Sequence, residues 1–243
     1  MRWGAFLRLA CLAALCLFLA EPERFGFVFA PFTRDGQPAI YVQNALLTLA
    51  LNHIAIVALA TSIGSAVAIA LAVLVTRPVG ADFLPLSRTI ANIGQTFPPV
   101  AVLALAVPML GFGTAPTFVA LLLYGLLPVF ENTLAGLSNL PPDVDEAARA
   151  SGMTEWQRLL EVDLPLAAPL IVAGVRVSLV IGIGTATIGS TVAASTLGEV
   201  IMAGLINDNL AFIVQGALAV ALIAILSSEQ LMRVERWMIH RRT

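Results

Sequence analysis

The chain contains no lysine; all 13 of its basic residues are arginine. A phosphate-binding loop of the Gly-Lys-Ser/Thr type needs that lysine. The chain therefore has no loop of that kind, and any ATP that drives it is bound by another subunit. Charge of either sign is scarce, at 12% of 243 residues, against roughly 25% in soluble domains. The net charge of -2 carries little information. Cys11 and Cys16 share the first apolar run at a spacing that fits no zinc or redox motif, and read as small apolar residues of a membrane helix. His53 and His240 have no second ligand type beside them, so no metal site is expected.

What is abundant is apolar surface: 59% of residues are hydrophobic and the mean hydropathy is +0.93. Such a chain cannot cover a globule with polar groups, so lipid is the solvent for most of it. Six apolar segments can be drawn, at about residues 6–20, 53–75, 89–110, 114–138, 166–190 and 210–228, each near the ~20 residues a bilayer demands. The first resembles a signal peptide, with Arg2 and Arg8 ahead of the apolar run, but no clean A-x-A site follows; it is expected to be retained as a span. Residues 41–52 are apolar too and read as an interfacial helix. The expected fold is an all-α polytopic membrane protein of about six transmembrane helices with a two-helix cytoplasmic loop.

Arginine sets the orientation. With the N-terminus inside, Arg2, Arg8, Arg77, Arg88, Arg149, Arg158, Arg233, Arg236, Arg241 and Arg242 fall on the cytoplasmic side, against Arg24 and Arg34 outside. The positive-inside rule then puts both termini in the cytoplasm. Trp3, Trp156 and Trp237 fall at or beyond the same face. Two charges lie within spans, Glu131 and Arg176; they either pair with each other or snorkel to the interface. Internal Pro and Gly, such as Pro98-Pro99, Pro108 and Pro128, suit bent or closely packed helices.

Residues 146–165, EAARASGMTEWQRLLEVDLP, form a polar island in this apolar chain. Pro141-Pro142 ends the fourth span. Asp143 is placed to cap a short helix, with Glu146 three residues on, and Gly152 stops it. Thr154 is placed to cap a second helix, with Gln157 completing its box. On that second helix Met153, Trp156, Leu159 and Leu160 share one face and Glu155, Arg158 and Glu161 the other. Pro165 is expected to open the fifth span. The island is either a docking helix for a soluble partner, with Trp as anchor, or a loop folded back on its own membrane face.

Glu146-Ala147-Ala148, three residues, Gly152, nine residues, then Val162-Asp163-Leu164-Pro165 resembles the EAA loop of ABC importer permeases of the type I fold, with Val162 a conservative departure at an Ile position. The likeness runs over residues 53–236. Gln95-Thr96-Phe97-Pro98-Pro99, Gly111-Phe112-Gly113, Leu127-Pro128, Ala173-Gly174-Val175-Arg176 and Gly184-Thr185-Ala186-Thr187-Ile188 are similar to the osmoprotectant branch, which serves glycine betaine, choline, carnitine and proline betaine uptake.

The resemblance implies three parts: residues 1–52 as first span, periplasmic loop and interfacial segment, residues 53–236 as the permease domain with a coupling loop at 139–165, and residues 237–243 as a cytoplasmic tail. It implies a multi-pass protein of the bacterial inner membrane that is no enzyme itself. ATP and Mg are held by cytoplasmic ATPase subunits; the other partners are a second permease subunit, identical or homologous, membrane lipid and a separate periplasmic or lipid-anchored binding protein, with no nucleic acid. The coupling residues implied are Glu146, Ala147, Ala148, Gly152, Trp156, Leu164 and Pro165. Asn92, Gln95, Thr96, Phe97, Thr185, Thr187 and Ser190 are candidates for lining the passage, although helix packing explains each equally well. The alternatives are an ABC permease for another small solute, such as an amino acid, and an ATP-independent secondary transporter. The latter would need coupling acids within the spans.

Overall fold

A computed structural model describes residues 2–34 and 36–240. Arg241 and Arg242, used above for orientation, and the end of the expected tail lie outside them. Every regular element among the described residues is helical. Helix α1 (Arg2–Ala20) leads through three single helical turns to α2 (Leu46–Val75). Next come α3 (Leu84–Thr96), α4 (Pro99–Leu110), α5 (Thr114–Ser138) and α6 (Pro142–Ala150). The chain ends in α7 (Glu155–Val192), α8 (Gly198–Ile206) and α9 (Leu210–His240).

Helices α2, α5, α7 and α9 are each long and apolar enough to cross a bilayer, and α3 with α4 make a fifth, broken candidate. In α1 an apolar helix runs over Arg8–Ala20. The expected third span, 89–110, is therefore corrected: it is not one rod. Phe97 (φ −99, ψ 141) and Pro98 (φ −61, ψ 140) are extended. Proline supplies no N–H and bars the residue before it from helical dihedrals, so Pro98-Pro99 stops α3 and starts α4. The interfacial helix at 41–52 is also corrected: Leu46 already begins α2, so the helix runs across the expected 52/53 boundary. Likewise α9 continues to His240, past 236. Helix α8 has no counterpart in the sequence reading.

The described chain forms two compact units. One gathers residues 61–97, 122–179 and 228–240. Its core is Ala68, Ala72 and Val75 of α2, Ala91 of α3, and Leu126, Val129, Phe130 and Leu134 of α5. Small residues let the backbones meet, as dispersion packing in lipid requires. A Cβ on Gly94 would lie 2.0 Å from the Leu123 carbonyl oxygen, so only glycine allows α3 to lie on α5 there. Arg176 and Glu131 do not pair with each other: Arg176 meets Glu235 at 3.6 Å and Glu131 meets Arg88 at 3.1 Å.

The other unit gathers residues 2–60, 98–121 and 180–227. Buried Gln215 fixes the stretch before α2: its Nε2 donates to the Ala39 carbonyl at 2.7 Å and its Oε1 accepts from the Tyr41 amide at 3.2 Å. The Tyr41 hydroxyl donates to Glu199 of α8 at 2.6 Å. Burial, and next the Glu199 carboxylate, push the Tyr41 pKa well above its ordinary value, so the phenol keeps its proton for that bond. His53 is fully buried and bonds the Ile183 carbonyl at 3.0 Å. Arg34 pairs with Asp208.

Candidate functional site

The polar island folds as two helices joined by an elbow. Helix α6 starts at Pro142 with Pro141 as its N-cap, and no side chain caps it. The expected capping box of Asp143 and Glu146 is thus not formed. Proline needs no partner for a missing N–H and takes the first helical position, which leaves Asp143 in the first turn, where its charge favours the helix N-terminus. Gly152 turns the chain with φ +74, and a Cβ built there meets nothing within 4 Å. The second box does form: Thr154 Oγ1 accepts from the Gln157 amide at 3.2 Å, and Gln157 Oε1 accepts from the Thr154 amide at 2.9 Å.

From Thr154 the chain does not pause at Pro165. Residues 155–192 form one rod, so the expectation that Pro165 opens a new span is corrected. A π-helical turn over Leu159–Asp163 precedes it. Proline removes one ladder bond and crowds the carbonyl four residues back; a wider turn absorbs both effects, so the helix continues. The turn also splits the expected apolar face. Leu159 is buried at 3% exposure, whereas Trp156 and Leu160 stand out at 72% and 61%. Met153 is half-buried.

An ion-pair network holds the island, and sequence reasoning missed it. Asp163 is nearly enclosed, its side chain 6% exposed, 2.9 Å from Arg77 and 3.6 Å from Arg158. Arg158 also reaches Asp145 at 2.7 Å and Glu155 at 3.1 Å. Arg149 meets Asp145 at 3.0 Å. Arg77, just beyond the end of α2, is thereby tied to both island helices. The available sign was a lone acid, Asp163, beside a span, and a lone arginine, Arg77, ending another.

Two concavities flank this network. One, of about 360 Å³, is lined by Val144, Ala147, Ala148, Met153 and Val162 among others; the small side chains of Ala147 and Ala148 keep it open. The second, of about 690 Å³, is an apolar groove along Val73, Leu74, Pro78, Val79, Trp156 and Leu159, with Arg77 and Glu155 also on its lining. Glu146, Ala147, Gly152 and Pro165 are exposed, Ala148 is buried and Leu164 is half-buried. The surface presents an aromatic anchor, open glycine backbone and fixed charge together, which suits it to receive another protein.

The seven passage candidates divide between the two units. Asn92, Gln95, Thr96 and Phe97 belong to the unit that holds the island. There Gln95 Nε2 donates to the Tyr124 carbonyl at 3.0 Å, the Tyr124 hydroxyl donates to the Phe97 carbonyl, and Thr96 turns back to the Ile93 carbonyl at 2.8 Å. Thr185, Thr187 and Ser190 belong to the other unit. Thr185 is buried, Thr187 bonds the Gly184 carbonyl at 2.6 Å, and Ser190 meets the Thr196 hydroxyl at 3.0 Å. Thr196 borders a cavity of about 660 Å³ shared with Asn52, Ile56, Thr114, Phe118 and Ser195, none of which the sequence reading singled out as passage-lining.

Residues 64–241 match the family described as binding-protein-dependent transport system inner membrane component. The chain belongs to this family. Among curated members, it is 40% identical to the osmoprotectant import permease protein OsmY of Salmonella typhimurium, over 76% of this chain and 78% of that one. It is 38% identical to the choline transport system permease protein OpuBB of Bacillus subtilis, over 79% and 87% of the two chains. Among solved structures, an inward-facing form of the MetNI methionine ABC transporter superposes with a TM-score of 0.71 at 22% identity, over 79% of this chain and 95% of that one. That likeness establishes the fold. As a family member the chain is a multi-pass transport subunit of the membrane.

Proposed function

We propose that this chain is the permease subunit of an ATP-driven importer for small osmoprotectants of the quaternary ammonium class, such as glycine betaine, carnitine or choline. The observation that carries the reading is the two-helix island of α6 and the start of α7, with its EAA-type spacing and its Trp156 surface, in a chain whose relatives are named for these solutes. The island faces the cytoplasm with both chain termini, and it docks a separate ATPase that holds ATP and Mg. A second permease subunit completes the passage, and a separate binding protein delivers the solute. Initial capture of the solute rests with that binding protein.

In this arrangement the ATPase seats against Trp156, Gly152 and the Ala147–Ala148 surface, and the Arg77–Asp163–Arg158 network carries its displacement to the end of α2. Asn92, Gln95 and Thr96 supply neutral polar groups to the passage. The test is co-expression with the neighbouring genes, purification in detergent and measurement of ATP hydrolysis in lipid. A co-purifying ATPase stimulated by a binding protein loaded with glycine betaine or choline is the expected result. An ATPase indifferent to both solutes moves the cargo to another class, and no co-purifying ATPase overturns the importer reading.

A further inference from the structure

Helix α3 carries a polar face that an apolar chain has no obvious use for. Ser87, Ala91 and Gly94 are buried and pack it inward. Arg88, Asn92 and Gln95, spaced by four and three residues, share a different and exposed face. Arg88 Nε lies 3.1 Å from Glu131 Oε1 of α5, with the two side chains 53% and 42% exposed. Gln95 is satisfied by the Tyr124 carbonyl. The Asn92 amide between them has no side-chain partner among the described residues. Hydrocarbon is a poor neighbour for such a stripe, because neither an unpaired amide nor an exposed ion pair is compensated there. Arg88 stands at the cytoplasmic end of the stripe, and Asn92 and Gln95 carry it one to two turns further along α3, so the stripe faces water or polar groups over that length.

The pair is also a specific chemical object: one guanidinium and one carboxylate at contact distance, each with about half its surface open. A zwitterion carrying a trimethylammonium and a carboxylate presents the same two charges in the opposite sense. We propose that Arg88 and Glu131 form an exchangeable ion pair on the passage wall, which a zwitterionic solute opens by setting its carboxylate on Arg88 and its ammonium against Glu131; this rests on the cargo class proposed above. Each protein charge gains a partner as it loses one, so no unpaired ion is created during passage. A guanidinium suits the step because it binds carboxylates through two parallel N–H donors. Choline has no carboxylate. It engages Glu131 and leaves Arg88 alone, so the pair favours betaines over simple cations.

The complete transporter, reconstituted in liposomes with its binding protein, is assayed for initial uptake of labelled glycine betaine and labelled choline. Arg88→Gln is expected to shift the betaine-to-choline uptake ratio roughly tenfold toward choline, the lower end of what one net hydrogen bond to a charged group is worth. Normal wild-type uptake with an unchanged ratio in the variant overturns this proposal alone. Wild-type transport of neither solute removes the cargo reading and this proposal with it. Should Arg88→Gln fail to assemble, Asn92→Cys in a chain with Cys11→Ala and Cys16→Ala decides. Labelling by a cationic, membrane-impermeant thiol reagent, slowed by turnover with glycine betaine, is expected; no labelling places the stripe off the passage and overturns the proposal.

Discussion

Asp163 is the residue on which the island's order depends. Its carboxylate sits between Arg77 and Arg158, and all three side chains are at most 18% exposed. Without Asp163, Arg158 keeps Asp145 and Glu155 while Arg77 keeps Glu155 at 4.0 Å, and loss of one partner of an enclosed pair typically costs about 3 kcal/mol. Asp163→Asn is therefore expected to lower the melting temperature of the detergent-purified protein clearly. Asp163→Glu should recover most of it. An unchanged melting temperature in the Asn variant would show that water already solvates the arginines. Gly152 behaves in the opposite way. Its φ of +74 makes any side chain strained by roughly 1–2 kcal/mol, yet its Cβ direction is empty. Gly152→Trp is expected to reach the membrane at normal levels and to abolish uptake, because the added ring stands on the surface proposed to receive the ATPase. Normal uptake at normal membrane level sinks the docking surface. Gly152 was legible from sequence because glycine between two caps marks a turn. The Asp163 network was not, because its members are far apart in the chain and charge alone does not say which acid meets which arginine. Glu131 and Arg176 went astray for the same reason: both found partners on α3 and α9, which helical spacing within one segment could not reveal.

At the scale of elements, proline and glycine were read well where they punctuate polar sequence and less well inside apolar runs. The fourth span coincides with α5, bounded by the Gly111-Phe112-Gly113 turn and by Pro141-Pro142. The capping box at Thr154 formed as its spacing implied. Hydropathy, however, counts apolar residues and ignores backbone direction, so it drew one span through Pro98-Pro99 and cut another at Pro165. The physical difference is the π turn: Leu159–Asp163 widens ahead of Pro165, while at Phe97 two consecutive prolines leave no helical route. The box at Thr154 starts the helix that runs from the island to Val192, so it governs how firmly the island is joined to the span. Thr154→Ala is expected to weaken the first turn of α7 by about 1 kcal/mol. Amide hydrogen exchange at residues 156–158 should rise several-fold while exchange in residues 170–180 stays unchanged. A rise along the whole rod would mean that the cap supports the span and not only its first turn.

For the whole molecule, the decisive quantity is which side of the membrane each loop occupies. Arginine bias is the ground on which the island is proposed to lie inside and the 21–45 loop outside. The fold adds an independent constraint, because Arg34 pairs with Asp208 and the Pro38 carbonyl accepts from the Asn209 side chain at 2.9 Å. The loop before α2 and the turn between α8 and α9 therefore share one face, as the arginine count requires of both. Exposed single cysteines test the assignment in a chain with Cys11→Ala and Cys16→Ala. In intact cells an impermeant thiol reagent is expected to label Asn207→Cys and to miss Ser151→Cys; both should label once the membrane is opened. Sidedness constrains the mechanism directly. ATP is cytoplasmic and this chain carries no lysine with which to build its own phosphate loop, so the island can couple to ATP hydrolysis only from the inner face. Labelling of Ser151→Cys from outside would separate the island from every ATPase and remove the coupling reading, even with the family and the fold intact.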